Sequence, residues 1–401
     1  MKSKENSFYP LTKSVLEKKD LSAAIKVINS GNITMGKKTM EIENYFKKKV
    51  SGINSLMVNS GSSANLLIFQ CLINPMVKRL KIGDEVLIPA ICWSTSLWPI
   101  IQSGLKIKFV DIDLETLNID ITQLKKKITK KTKALMLVHA LGNCSDMSQI
   151  VKICKKNKII LIEDTCEALG SKFKKKALGT FGEFSSYSFY YSHHITSGEG
   201  GMICVKSKNY YEILKSLRSH GWTKDLNNKN QISKKNKNID KNWIFINSGF
   251  NLRPTDINAA IGLEQLKRLK KILNIRKYNF KIIKKKLIND KRYNNQFTII
   301  EEDKSRNIAW FGIPIILKNN NKKFKDIFIK KLNEKGIMTR PIISGNFANQ
   351  PSIKLYKIKT KYKLVNADKI DKNSFFIGLH NVKITKTRLN KFCELFYKSL
   401  V

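Results

Sequence analysis

The chain has 401 residues, 42% of them apolar, enough for one large domain and a smaller one. Its 75 Lys and Arg against 31 Asp and Glu give a net charge of +44. The excess is mostly lysine spread along the whole length, with no nucleic-acid-reading motif beside it. No nucleic-acid partner is therefore expected, although a positive field would help attract a diphosphate. The sequence has no apolar run of about 18 residues and no apolar stretch behind its charged start, MKSKENSFYP. No membrane contact and no signal peptide are expected, and the expected location is cytoplasmic.

In chain order, strand-like apolar runs fall at 55–58, 85–88, 107–111, 134–139, 159–163, 186–189 and 202–205. Amphipathic stretches such as Met147–Lys156 lie between several of them. This alternation predicts an α/β fold with a mainly parallel central sheet covered on both faces. Reactive groups should gather at the carboxyl ends of its strands. The Lys- and Asn-rich segment 227–242 predicts a mobile surface loop. A helical stretch follows at 254–284, and a second α/β region runs from about Arg292 to the end. The expected division is an N-terminal segment 1–30, a large domain 31–265 and a smaller C-terminal α/β domain 266–401.

Three segments carry candidate chemistry. In Val58-Asn59-Ser60-Gly61-Ser62-Ser63-Ala64-Asn65, a strand ends, a Gly-Ser turn follows and an apolar helix begins. The segment reads either as an anion cradle at a helix start or as an ordinary Ser-capped helix. The run Ile159–Ala168 delivers acids at a strand end. A carboxylate there can keep a pyridine nitrogen protonated, or it can serve the helix dipole. In the third, His193 and His194 follow a strand and precede a glycine-rich turn. Neighbouring side chains diverge, so one can face a pocket while the other does not. No carboxylate or third histidine stands at ligand spacing, and no metal is expected. The seven cysteines, Cys71, Cys92, Cys144, Cys154, Cys166, Cys204 and Cys393, are scattered like thiols of a reducing compartment.

The ordered set NSGSSANLL, DEVLIPAICWSTS, FVDID, EDTCEALGS, SYSFYYSHHITSGEGG and GFNLRPTDINAAIGLEQL resembles the DegT group of nucleotide-sugar aminotransferases. These are pyridoxal phosphate enzymes of fold type I. GIMTRPIISGNF extends the resemblance into the last third, so that it covers nearly the whole chain. The resemblance implies a fold type I aminotransferase-like architecture and a homodimer. The implied cofactor is pyridoxal 5'-phosphate, alternating with pyridoxamine 5'-phosphate. It places Gly61, Ser62 and Ser188 at the cofactor phosphate, Trp93 on the pyridine ring, Asp164 at the ring nitrogen and Glu167 near the ring hydroxyl. Asn251 would reach the phosphate held by the neighbouring subunit. Arg253, for an amino-donor carboxylate, and Arg340 would bind substrate.

One position departs from the group. Its aminotransferases carry Ser-Phe-x-x-x-Lys before the GEGG turn, and that lysine tethers the cofactor. Here Ser188 and Phe189 align, and the lysine slot holds His193. SFYYSHHITSGEGG resembles the sugar 3-dehydratase branch, in which histidine fills the slot. Histidine cannot form the stable tether, yet with an ordinary pKa of about 6.5 it can still exchange protons. The resemblance therefore implies removal of the C3 hydroxyl from a nucleotide-linked 4-keto-6-deoxyhexose. GDP is the favoured nucleotide, glutamate the amino donor and His193 the base. One alternative is an iron–sulfur 3-dehydratase acting on a CDP-linked sugar, but only Cys204 and Cys393 follow His193 and four ligands are needed. The other is a non-catalytic member of the group.

Overall fold

The computed structural model describes residues 7–13, 16–319, 321–358, 360 and 362–400. The seven apolar runs become strands of a single sheet. In chain order the first strands are β1 (Asn54–Val58), β2 (Glu85–Pro89), β3 (Lys106–Val110), β4 (Thr132–Val138) and β5 (Ile160–Asp164). The short strands β6 (Lys172–Phe173) and β7 (Lys176–Ala177) stand outside that sheet, and β8 (Phe184–Ser188) and β9 (Gly201–Val205) complete it. The strand order is β1-β9-β8-β5-β4-β2-β3. All seven run the same way except β9, which is antiparallel to both its neighbours.

Side-chain alternation builds a core on each face of the sheet. β4 turns Ala134, Met136 and Val138 to one face and Leu135 and Leu137 to the other. β5 divides its residues likewise, with Ile160 and Ile162 opposite Leu161. Each Leu, Ile, Met or Val among them, when fully buried, contributes about 1.5–3 kcal/mol. Both faces being buried explains why these strands read as continuous apolar runs.

Helices cover the faces. They are α1 (Lys18–Asn29), α2 (Lys37–Phe46), α3 (Gly61–Ile73), α4 (Ser94–Gln102), α5 (Ile121–Lys127), α6 (Met147–Lys156) and α7 (Lys208–Arg218). The helix α6 has the bounds its pattern predicts. Asp146 caps it by accepting from the amides of Ser148 and Gln149, and Met147, Ile150, Ile153 and Cys154 form its buried stripe.

Two expectations need correction. The segment 227–242 is on the surface, but it contains a two-turn helix, α8 (Lys229–Lys235), with no buried residue. The helical stretch after Pro254 is two helices, α9 (Asp256–Lys267) and α10 (Leu269–Ile288). The break is at Arg268, whose guanidinium turns to Asp20 of α1 at 2.8 and 2.7 Å. The expected boundary at 265/266 falls in the last turn of α9.

The C-terminal region contains β10 (Phe297–Thr298), β11 (Arg306–Asn307), β12 (Gly312–Leu317), α11 (Lys322–Glu334), β13 (Thr339–Arg340), α12 (Pro351–Leu355), α13 (Val365–Asn373), β14 (Ser374–Gly378) and α14 (Lys386–Leu400). Its antiparallel sheet has the order β10-β12-β14-β13, and β11 pairs instead with β6. The N-terminal segment joins this region too. Tyr9 N donates to Gly336 O at 2.8 Å, and the Tyr9 ring stacks on His380 at 4.2 Å. Among the described residues no helix is long and apolar enough to cross a membrane.

Candidate active site

β5 ends on two acids, and alternation turns them to opposite faces. Glu163 is fully buried and accepts from His139 Nε2 at 3.0 Å and from the amides of Gly179, Phe181 and Gly182 at 2.8, 2.8 and 2.7 Å. Burial alone would raise its pKa; the His139 bond and charge and the amides outweigh burial and hold it below the usual range. Glu163 is thereby committed to fixing the loop before β8. Asp164 faces the other way. Its Oδ2 accepts from Ser96 Oγ at 2.7 Å and Asn65 Nδ2 at 3.0 Å, and its Oδ1 accepts from the Cys166 amide at 3.1 Å. Three donors suit a carboxylate, and Oδ1 keeps a lone pair to offer.

Beside Asp164 lies the start of α3. Ser60 caps it, taking the amide of Ser63 on its hydroxyl and that of Ala64 on its carbonyl. The amides of Gly61 and Ser62 are left at the positive end of a 13-residue helix. A Cβ at position 61 would lie 2.7 Å from Ser188 Cβ and 3.0 Å from Cys166 Sγ, so only glycine lets these three segments meet. Ser62 Oγ donates to Thr95 Oγ1 at 2.9 Å, linking this end to α4. Trp93 precedes α4 and leaves its large side chain 53% exposed at the same strand-end surface.

The two histidines lie in the loop between β8 and β9 and diverge as neighbours should. His193 Nδ1 is 2.7 Å from Cys166 O. A carbonyl only accepts, so Nδ1 carries the proton and Nε2 is the basic nitrogen. Burial is the main cause that lowers the His193 pKa to about 4, with Cys166 O and Asp164 opposing it and the Arg276 charge adding to it. His194 is fully buried, donates from Nε2 to Ala309 O at 2.8 Å, and is also pushed well below the ordinary value by burial. Phe311 sets its ring against both, at 5.1 Å from His193 and 5.9 Å from His194.

Glu167, on the turn after Asp164, accepts from the Leu141 amide at 2.8 Å. Burial raises its pKa to about 7, against the Leu141 bond and helped by the charge of Asp164. Gly61, Ser62, Trp93, Asp164, Glu167, Ser188 and His193 are thus brought to one surface by contacts with each other or with Cys166, α3 and α4. Asn251 and Arg253 run alongside it, since Asn59 N donates to Leu252 O at 3.1 Å, but their side chains bond each other at 3.0 Å. Arg340 is exposed on β13. The segment after it returns to the site, where Ser344 Oγ donates to Cys92 O at 2.6 Å and Phe347 N to Ala90 O at 2.9 Å.

Sequence reasoning missed Asn65, Ser96 and Phe311. Asn65 left a usable signal, because it is a polar residue one turn into an apolar helix. The other two left none, since their roles depend on long-range packing.

Polar groups collected at the carboxyl ends of a mainly parallel sheet, with a smaller α/β region anchored beside them, define an aminotransferase-like enzyme of fold type I. The chain belongs to the DegT/DnrJ/EryC1/StrS aminotransferase family, which matches residues 14–395. It is 38% identical to GDP-4-keto-6-deoxy-D-mannose 3-dehydratase of Escherichia coli O55:H7, over 94% of this chain and 96% of that protein. A solved structure of E. coli GDP-4-keto-6-deoxy-D-mannose-3-dehydratase with bound hydrated PLP has a TM-score of 0.89 and 36% identity, covering 97% of this chain and 99% of that one. A solved GDP-4-keto-6-deoxymannose-3-dehydratase with a trapped PLP-glutamate geminal diamine has the same TM-score, 0.89, at 36% identity, covering 97% of this chain and 100% of that one.

Proposed function

We propose that this protein is a pyridoxal phosphate-dependent nucleotide-sugar 3-dehydratase, a lyase with a transamination half-reaction. It would remove the C3 hydroxyl of GDP-4-keto-6-deoxy-D-mannose, with glutamate as amino donor. The observation that carries this reading is His193 in the lysine slot, with its Nδ1–H on Cys166 O and its Nε2 basic. Likeness to relatives of that name over nearly their full lengths supports the substrate.

The residues present fit the cofactor. The close approach of Gly61 to Ser188 leaves a phosphate-sized anion the amides at the start of α3 and the nearby hydroxyls of Ser62 and Ser188. Asp164 Oδ1 has acceptor capacity for a protonated ring nitrogen, Trp93 offers a ring face, and Glu167 sits one turn from Asp164. Bound there, pyridoxal phosphate and its pyridoxamine form supply an electron sink and carry the amino group taken from glutamate. Asp164 keeps the proton on the pyridine nitrogen. His193 Nε2 takes a proton from the cofactor's exocyclic carbon, and the bond from Nδ1 to Cys166 O stabilises the charge it acquires. Because residue 193 is not lysine, noncovalent contacts alone hold the cofactor at that position. Overall, glutamate becomes 2-oxoglutarate and ammonia, and the sugar loses its C3 oxygen.

The homodimer expected from the resemblance has a surface to match. On α1, Leu21, Ile25 and Ile28 are 48%, 53% and 54% exposed and recur at helical spacing, while Asp20, Ala24 and Val27 face α9. The resemblance would place Asn251 of one copy at the phosphate held by the other, and Arg253 and Arg340 at substrate. Seven free cysteines, buried or partly buried, suit a reducing cytoplasm.

The test is incubation with GDP-, CDP- and dTDP-linked 4-keto-6-deoxyhexoses, glutamate and cofactor, read by mass spectrometry. The expected result is a GDP-linked product lighter by one oxygen atom, formed together with 2-oxoglutarate. An amino sugar as the product would instead make the protein an ordinary aminotransferase. Lack of turnover with every sugar and lack of 2-oxoglutarate would leave only the non-catalytic reading.

A further inference from the structure

Arg276, on α10, is buried to 3% exposure, and its hydrogen bonds go to neutral oxygens. Nε and Nη2 donate to Trp310 O at 3.3 and 2.9 Å, and Nη2 also to Phe311 O at 2.8 Å. Nη1 donates to Leu379 O at 2.5 Å and to Asn381 Oδ1 at 2.9 Å. A buried cation without a carboxylate partner is costly unless its donors are fully used, and here every nitrogen has an acceptor. Burial lowers its pKa only to about 10, so it remains charged at neutral pH.

The oxygens it gathers flank two neighbouring strands. Trp310 and Phe311 lead into β12, and Leu379 and Asn381 follow β14, its antiparallel partner. The same two segments touch the histidine pair. Ala309 O accepts from His194 Nε2, the Phe311 ring lies against His193, and Asn381 Nδ2 donates to His194 O at 3.1 Å. These contacts from the C-terminal region to residues 193 and 194 therefore hang on Arg276, which itself touches neither histidine.

We propose that Arg276 is a positioning residue for His193, clamping the two strand ends so that Phe311, Ala309 and Asn381 fix the histidine pair and keep Nδ1 of His193 on Cys166 O. Five donors in a rigid fork suit this task, and a lysine with three could satisfy it only in part. The clamp also has an electrostatic side. The charged and titratable groups around His193 are Asp164, which favours the imidazolium, Arg276, which disfavours it, His194, Tyr190 and Cys166, whose thiol burial holds neutral. Removing the Arg276 charge should therefore make His193 easier to protonate.

The proposal rests on His193 being the base, so its test reads the imidazole directly. Full-length protein labelled with nitrogen-15 histidine has five imidazoles, and the His193→Asn spectrum assigns the one of interest. In wild type, His193 should show the Nδ1–H tautomer and stay neutral well below pH 6.5, its ordinary midpoint. In Arg276→Gln the tautomers should mix and the midpoint should rise. The kcat for dehydration should fall at least tenfold with KM for the nucleotide sugar little changed. Arg276→Lys should recover part of both. Should Arg276→Gln fail to fold, Asn381→Ala cuts the tie to His194 O while leaving the guanidinium on its backbone carbonyls; it should mix the His193 tautomers as well, without the rise in midpoint, because the Arg276 charge stays. His193 signals identical to wild type in a folded Arg276→Gln or in Asn381→Ala overturn the clamp. Full activity in His193→Asn would overturn the base assignment instead, whatever the Arg276 spectra show.

Discussion

The turn after β5 and the turn after β8 meet at one hydrogen bond, His193 to Cys166 O, yet they are held in different ways. Asp164 is fixed from within the large sheet's own structure, by Asn65 of α3, Ser96 of α4 and the next amide but one. The histidine turn is fixed largely from the C-terminal region, by Ala309, Phe311 and Asn381. The carboxylate of the site thus belongs to the sheet. The group assigned to move a proton takes its orientation from the seam between two regions. Perturbing the first should have local effects, whereas perturbing the second should respond to changes far along the chain.

The largest effect should come from His193. Replacing it with Asn should lower dehydration about a thousandfold, as loss of a general base does, with cofactor still retained in equilibrium dialysis. His194→Asn should instead lower the melting temperature, because His194 is buried and bonded to Ala309 O. Equal losses of activity in the two variants would erase the contrast between them. Next comes Asp164→Asn, expected to cost about a hundredfold in turnover, the range for loss of one fixed electrostatic partner. It should also shift the absorbance of bound cofactor, since the ring nitrogen loses its anion. Unchanged turnover would remove Asp164 from the mechanism.

Ser96→Ala sharpens the local side of the comparison. It strips one donor from a buried carboxylate, which costs about 1.5–3 kcal/mol in stability, and it leaves the Asn65 bond in place. Urea unfolding reads the loss, and kcat should fall less than in Asp164→Asn. A larger fall in kcat than Asp164→Asn produces would mean that Ser96 itself acts on substrate.

The smallest effect concerns pH. Burial lowers His193 and His380 to about 4 and His194 well below 6.5. From pH 6.5 downwards the unfolded chain binds protons at these positions that the folded chain refuses, so stability falls towards pH 4. Glu167 acts in the opposite sense. Its pKa, raised from 4.5 to about 7, gives stability that is present at low pH and lost as pH rises through 7. Three histidines outweigh one glutamate, so calorimetry should find a lower melting temperature at pH 5 than at pH 7. A higher one would show that these histidines do not stay neutral in the fold.

Much of this architecture was legible in the sequence because its strands are buried on both faces. Such runs cannot be mistaken for polar loops, and each strand of the seven-stranded sheet lies within two residues of its run. Asp164 and Gly61 were legible because they stand at a strand end and a helix start that the pattern located, whereas Ser188 and the slot filled by His193 came from the resemblance. Motifs alone did not separate chemistry from scaffolding. Asp256 in the motif GFNLRPTD accepts from the amides of Gly36, Lys38 and Thr39, fastening α2. Asp111 in FVDID accepts from the amides of Asn366 and Ala367 and so joins the two regions. Arg276 was illegible, because nothing in the local pattern of α10 marks a residue whose partners stand at 310–311 and 379–381.

The antiparallel return of β9 has one further consequence. Ser188 pairs with Gly201, so the chain leaves the sheet at 189 and comes back beside its point of departure at 200. Both feet of the histidine turn stand in the same sheet, and the side chain at 193 can change without moving either. Passing from an enzyme that tethers its cofactor to one that does not therefore needs no insertion, hinge or rebuilt loop. On the reading that His193 is the base, a His193→Lys exchange made in the laboratory would change the group offered to the cofactor on an unaltered frame.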